Sequence, residues 1–343
     1  SEEHIFVGAR RFENKEFFSD DFVSSLKKMP PRSRTSAIQL TEWTSKREEG
    51  VTSRILRLQY ALARDLVHRI GSGSSSILIF VAGMNDITEL TDILNSLNSP
   101  NQARRFETFP IHSDVPYEEQ ARVFQSSDDP NLVRVVIATN AAESSLTIPD
   151  CDHVICFGSS KQLEYNSQTH RQVLQTSWIA KASAIQRAGR TGRVRPGNVY
   201  RLYSRYRFEV LMQKFDMADI HRTPLDAVVL NLYQMLEDNS DESIAELLDE
   251  TLEPPSETCV LRAFESLFDS KFLTSSDADT GQLTTMGRFV SMLGLDLQLG
   301  RLVGIGAQMD CLDEAIELAA ILSQPQPPFR IANNLVHDVD ENN

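Results

Sequence analysis

The segment QRAGRTGRVRPG (186–197) carries the densest set of reactive side chains in the chain. Gln186, Arg190 and Arg193 recur at spacings of four and three, so a helical start would present them on one face. Arginine offers a planar, permanently charged fork that matches phosphate oxygens, and the interspersed glycines allow close backbone approach. A phosphate clamp is one reading of this pattern, and a basic, salt-bridged surface helix is the other. A second polar group, ATNAAESSLTIPD (138–150), begins where the apolar run LVRVVIAT (132–139) ends. Polar residues at that place either meet a ligand at the carboxyl end of a sheet or cap the following helix.

The elements that must position these groups alternate in type. SILIFVAG (76–83), LVRVVIAT and HVICFG (153–158) are short apolar runs rich in β-branched residues, and helical patterns lie between them at about 84–97 and 116–126. Such alternation predicts a mainly parallel sheet covered on both faces. Residues 27–53 are mixed and polar without clear periodicity, and read as an insertion or mobile loop. GSGSSS (71–76) precedes a strand and lacks a Lys-Ser/Thr ending, so it reads as a connector and not as a phosphate loop. After Tyr203, leucine-rich helical patterns fall at roughly 224–237, 241–250 and 257–269. A hairpin turned at Asp279-Thr280-Gly281 is expected within 271–287, followed by two amphipathic helices from Asp296 onward.

The 343 residues carry a formal charge of −14, which as an average argues against nucleic acid. The charge is segregated, however. Tyr165–Phe208 contains nine Lys/Arg and no carboxylate, whereas Thr223–Leu261 contains ten carboxylates and no Lys/Arg. This implies one basic working surface on an acidic body, with 223–261 open to protein partners. Cys151, Cys156, Cys259 and Cys311 show no CxxC spacing and are expected to be buried, reduced thiols, with no metal. No apolar window of membrane-spanning length occurs and the first thirty residues lack a signal-peptide core, so no membrane role and a cytoplasmic or nuclear location are expected.

Taken together, ATNAAESSLTIPD and KASAIQRAGRTGR (181–193) resemble motifs V and VI of the superfamily 2 helicases, specifically the DEAH/RHA family. FVAG (80–83), IHSDVPYEEQARVF (111–124) and YRLYS (200–204) match further blocks in the family's order. EPPSETCVLRAFESLF, LTTMGRFVSMLGLD and AIELAAILS resemble its winged helix and the opening of its ratchet domain. The resemblance covers about residues 5–325. It implies an α/β fold: a RecA-like parallel-sheet domain over 1–203 with a β-hairpin at about 161–178, a winged helix over 204–295, and the start of a helical ratchet bundle with a tail over 296–343.

By the same resemblance, the chain is the C-terminal part of an ATP-dependent RNA helicase motor. Arg190 and Arg193 match arginines that reach the ATP phosphates, and Gln186 matches a glutamine near the γ-phosphate. Phe124 stands either against adenine or in the core. Asp150 matches a ribose contact, although the family's acid often falls one position earlier, where this chain has Pro149. Ser145 and Thr147 match positions linking nucleotide and RNA. Thr139 and Asn140 match RNA-phosphate contacts, Ser113 lies in the matching block before them, and Arg187 is structural or RNA-facing. Ala82-Gly83 departs from the family's frequent Thr-Gly. No GxxxxGK[ST] and no Asp-Glu-x-His block occur in the sequence. The ATP-binding loop and the Mg2+ ligands are therefore expected in a first RecA-like domain outside this sequence, which would be the main partner besides RNA, and this chain alone is expected to be inactive. The competing reading is a non-catalytic RNA-binding or scaffolding module.

Overall fold

The computed structural model describes residues 12–25, 30–47, 50–73, 75–98, 104–113, 115, 120–124, 129–144, 151–166, 171–236, 243–278 and 280–324. It divides into two compact units: Ser1–Glu164 with Gln172–Asp216, and Tyr165–Arg171 with Met217–Asn343.

The first unit is built on six parallel strands: β1 (Asn14–Phe18), β2 (Ser76–Phe80), β3 (Arg105–Ile111), β4 (Leu132–Ala138), β5 (His153–Cys156) and β8 (Gly197–Arg201). Their spatial order is β1-β8-β5-β2-β4-β3. The apolar runs need burial on both faces, and they receive it. Ile77, Ile79 and Val81 point into one core with Val133, Val135 and Ile137, while Leu78 and Phe80 join Val136 and Ala138 in the other. Strands β6 (Ser159–Asn166) and β7 (Arg171–Trp178) form a separate two-stranded sheet, in the place expected for the hairpin.

Helix α1 (Ser19–Ser25) follows β1 directly. Residues 31–44 are not a loop: Pro31–Thr44 is helix α2, with Pro at its first turn. Its buried positions, Ser33, Ala37, Leu40 and Thr44, follow helical spacing, but two of the four are hydroxyl residues. The apolar pattern was therefore weak, and hydrogen bonds satisfy the buried hydroxyls: Ser33 donates to Asp65, and Thr44 donates to the Leu40 carbonyl at 2.7 Å.

Helix α3 (Ser53–Ile70) starts at Thr52, whose side chain accepts from the Ile55 N–H at 3.4 Å. It buries Ile55, Leu62, Ala63, Leu66 and Val67 against the sheet. Truncating one of its leucines to Ala would cost about 2–5 kcal/mol. Gln59 is wholly buried, and its amide donates to the carbonyls of Phe157 and Leu202, both at 2.8 Å. Since those residues directly follow β5 and β8, the first turns of α3 lie at the carboxyl edge of the sheet. Helix α4 (Met84–Asn95) begins at the same edge, where Asp86 accepts from the Gly83 N–H at 2.9 Å and from Tyr60.

Residues 204–216 stay with this unit because the N–H groups of Lys181 and Ala182 donate to the carbonyls of Gln213 and Lys214 at 2.8 and 3.1 Å. In the second unit α7 (Asp226–Leu236), α8 (Ile244–Asp249), α9 (Glu257–Asp269) and α10 (Thr285–Leu293) close on Leu225, Val229, Leu230, Ile244, Leu248, Phe264, Leu267, Phe272 and Val290. Two further helices follow, α11 (Leu297–Gln308) and α12 (Leu312–Leu322).

The hairpin expected within 271–287 is reduced to one antiparallel bridge, Leu273 with Leu283. Thr284 already caps α10, accepting from the Gly287 N–H at 2.9 Å, so the returning strand has no room to extend. Asp279 lies outside the described residues, as does most of the helical pattern expected at 116–126. Among the described cysteines, all are free; Cys151 and Cys156 are buried, but, against expectation, Cys311 before α12 is only half-buried and Cys259 is exposed, because it faces outward in the first turn of α9.

Candidate nucleotide and nucleic-acid site

Helix α6 (Lys181–Ala188) carries the first part of the arginine-rich segment and ends at Gly189. The helical face expected for Gln186, Arg190 and Arg193 is therefore only partly realised. Gln186 is exposed on α6, while Arg190 and Arg193 lie in the turn beyond it. Within that turn Gly192 has φ +76°, a left-handed conformation that glycine adopts without strain. A Cβ there would meet the Asn14 side-chain oxygen at 2.2 Å, and the Asn14 amide donates to the carbonyls of Ala188 and Thr191 at 3.3 and 3.2 Å. Thr191 is buried and donates to the Cys151 carbonyl at 2.6 Å. The turn is thus clamped on β1 and on the entry to β5, leaving Arg193 exposed beside it with its Nε 3.2 Å from the Gly189 carbonyl.

The two segments singled out in the sequence meet at Glu143, in the short helix α5 (Ala141–Ser144) after β4. The Arg187 Nε donates to its carboxylate at 2.9 Å, and Ser183 donates to the other oxygen at 2.5 Å. The Arg190 guanidinium donates to the Glu143 backbone carbonyl. Arg187 is fully buried, sits 5.1 Å from the centroid of the Phe80 ring, and donates to the Ser159 carbonyl at 3.1 Å. Burial alone lowers its pKa, but Cys156 and Glu143 more than offset this and hold the guanidinium above its ordinary value. The Arg187 fork is thus engaged inside the fold by Glu143 and the Ser159 carbonyl.

Thr139 leaves β4 with its N–H 3.4 Å from the Ile111 carbonyl and is 4% exposed. Of the pair 139–140, only Asn140 presents its side chain to solvent. Ser113, one strand over, is exposed, with its Oγ 3.4 Å from the His112 Nδ1. Phe124, on the single 3-10 turn Arg122–Phe124, is 45% exposed, so it is not a core phenylalanine in this chain. Ser145, Thr147 and Asp150 lie outside the described residues.

Asn14, Glu143 and Thr191 were missed in the sequence. A signal for Glu143 existed, since a run of nine basic residues without a carboxylate must borrow one if any of its arginines is buried.

Residues 60–195 match the family described as "Helicase conserved C-terminal domain". The chain is 34% identical over 269 residues to the DExH-box ATP-dependent RNA helicase DExH1 of Arabidopsis thaliana, covering 78% of this chain and 26% of that protein. It is 32% identical over 307 residues to the human ATP-dependent DNA/RNA helicase DHX36, covering 90% of this chain and 28% of the relative. The chain belongs with the DExH/DEAH-box helicases. Its fold is that of the E. coli DExH-box NTPase HrpB, with a TM-score of 0.71 over 97% of this chain and 36% of that one, at 20% identity. This helicase segment spans only between about a sixth and a third of the curated relatives it matches. Among its described residues, no helix is long and apolar enough to cross a membrane.

Proposed function

We propose that this segment is the C-terminal half of an ATP-dependent RNA helicase motor, which couples ATP hydrolysis to RNA movement once joined to a first RecA-like domain. The observation that carries this reading is the position of Glu143. It follows the RNA-facing Asn140 by three residues and holds both Arg187, through its carboxylate, and Arg190, through its carbonyl. A shift of the β4 exit on RNA binding would therefore be felt by the arginine turn. A motor needs that link, whereas a passive scaffold does not.

In this reading Gln186, Arg190 and Arg193 meet the phosphates of ATP, and Phe124 offers its exposed ring to adenine. Ser145, Thr147 and Asp150 take the family's remaining nucleotide contacts. Charge developing on the transferred phosphoryl group requires preorganised donors, and an arginine in that role is worth about 10³–10⁵ in rate. Asn140, Ser113 and the backbone at Thr139 hold RNA phosphates with little base selectivity. ATP would bring Mg2+, whose ligands belong to the first domain. The β6–β7 hairpin serves as the wedge, 204–295 as the winged helix and 296–343 as the start of the ratchet. The acidic stretch 223–261 is the face for protein partners.

Purified chain tests this reading. It should bind a single-stranded oligoribonucleotide, lose affinity on Asn140→Ala, and release no phosphate from ATP. RNA-stimulated turnover that co-purifies with the chain at constant specific activity would overturn it.

A further inference from the structure

The carboxyl edge of the sheet carries a second cationic cluster, away from the arginine turn. The Trp43 ring, near the end of α2, has the Lys46 ammonium 3.8 Å and the Arg54 guanidinium 4.1 Å from its centroid. The two charges are therefore held within about 8 Å of each other, in spite of their repulsion, by contacts each worth roughly 0.5–1 kcal/mol at an exposed site. Arg57 lies one helical turn beyond Arg54 and is also exposed. Lys46 lies 3.7 Å from Glu42, but among the described residues neither Arg54 nor Arg57 forms an ion pair.

The cluster is anchored. Arg207 is buried and donates to the carbonyls of Thr44 and Lys46, the second at 2.5 Å, while the Thr44 hydroxyl accepts from the Ser204 N–H at 2.9 Å. These bonds fix the end of α2 to the chain just past β8. Gln59, five residues after Arg54, fixes α3 to the exits of β5 and β8. Lys46, Arg54 and Arg57 thus sit at the same edge as Ser113 and Asn140, on the β5–β8 side of it. On a chain of net charge −14, such a cluster is a local reversal of sign that would draw an anion to this edge.

We propose that Lys46 and Arg54, held on the Trp43 ring, and the neighbouring Arg57 bind backbone phosphates of single-stranded RNA and extend the track from β4 past β8. The inference rests on the RNA-track reading above. Forked guanidiniums suit phosphate oxygens, and a strand leaving Asn140 across the sheet edge would meet them next.

The test is fluorescence anisotropy of a labelled oligouridylate of about 20 nucleotides, titrated with the chain at several salt concentrations. Arg54→Gln with Arg57→Gln should weaken binding about tenfold and flatten the log–log salt slope by about 1.4, at about 0.7 per single-strand phosphate contact. Arg262→Gln with Lys271→Gln removes the same net charge from exposed positions of the second unit and serves as control. A salt slope for the Arg54/Arg57 variant equal to that of the control overturns the proposal. If Asn140→Ala weakens binding and the Arg54/Arg57 variant does not, the track stands and the cluster is wrong. If only the Arg54/Arg57 variant weakens binding, the cluster binds RNA and the route through β4 is wrong.

Discussion

Glu143 and Arg187 form a 2.9 Å ion pair in which the arginine side chain is 1% exposed and the glutamate 15%. Removing one member of a buried pair leaves the other charge without compensation, which typically costs 3–5 kcal/mol. Because Glu143 retains some water contact, Glu143→Ala is expected to destabilise the chain by about 3 kcal/mol in urea unfolding. Arg187→Met should cost less, since it leaves the more accessible member behind. A loss under about 1 kcal/mol for Glu143→Ala would show that the pair is not structural.

Phe124 separates surface from core. With 45% of the residue exposed, its loss should leave the melting temperature within a few degrees. In the protein that contains both RecA-like domains, Phe124→Ala should raise the KM for ATP about tenfold, as expected for loss of one stacking contact worth roughly 1–3 kcal/mol. A large fall in melting temperature with unchanged KM would contradict the adenine role.

Stability should depend on pH through His153. Burial pulls its pKa below the ordinary 6.5, with Asp152 opposing and Arg195 adding to the effect. Asn198 approaches its Nδ1 at 3.4 Å, an arrangement that suits a neutral ring. Because the unfolded chain takes up the proton first, this contribution is complete above pH 6.5 and is lost as pH falls below it. Melting temperatures from pH 8 to pH 5 should therefore fall less steeply for His153→Gln than for the wild type. Parallel curves would remove His153 as the cause.

Strands β2, β4 and β5 were legible as short apolar runs, and α4 because its apolar residues keep helical spacing, whereas β1 (NKEFF), β3 (RFETFPI) and β8 (GNVYR) mix polar and apolar residues and gave no such signal. Helix α2 was not, since Ser33 and Thr44 occupy buried positions and give no apolar signal. The arginine turn was legible in composition but not in shape. The helix stops at Gly189 and the chain turns again at Gly192, so Gln186 and the arginines do not share a helical face. The residue pattern did not distinguish Arg187 from its neighbours, and only the resemblance set it apart as structural or RNA-facing; its burial comes with the pairing to Glu143. Long-range hydrogen bonds such as those from Gln59 and Asn14 leave no local pattern to read.

Arg190→Lys in the protein carrying both RecA-like domains tests the central claim most directly. The substitution keeps the positive charge and removes the fork. RNA-stimulated ATP hydrolysis should fall at least about a hundredfold, about 2.7 kcal/mol of barrier, while RNA affinity without nucleotide and the melting temperature stay close to wild type. Turnover within about threefold of wild type, less than about 0.7 kcal/mol, would contradict the assignment of Arg190 to the reacting phosphate.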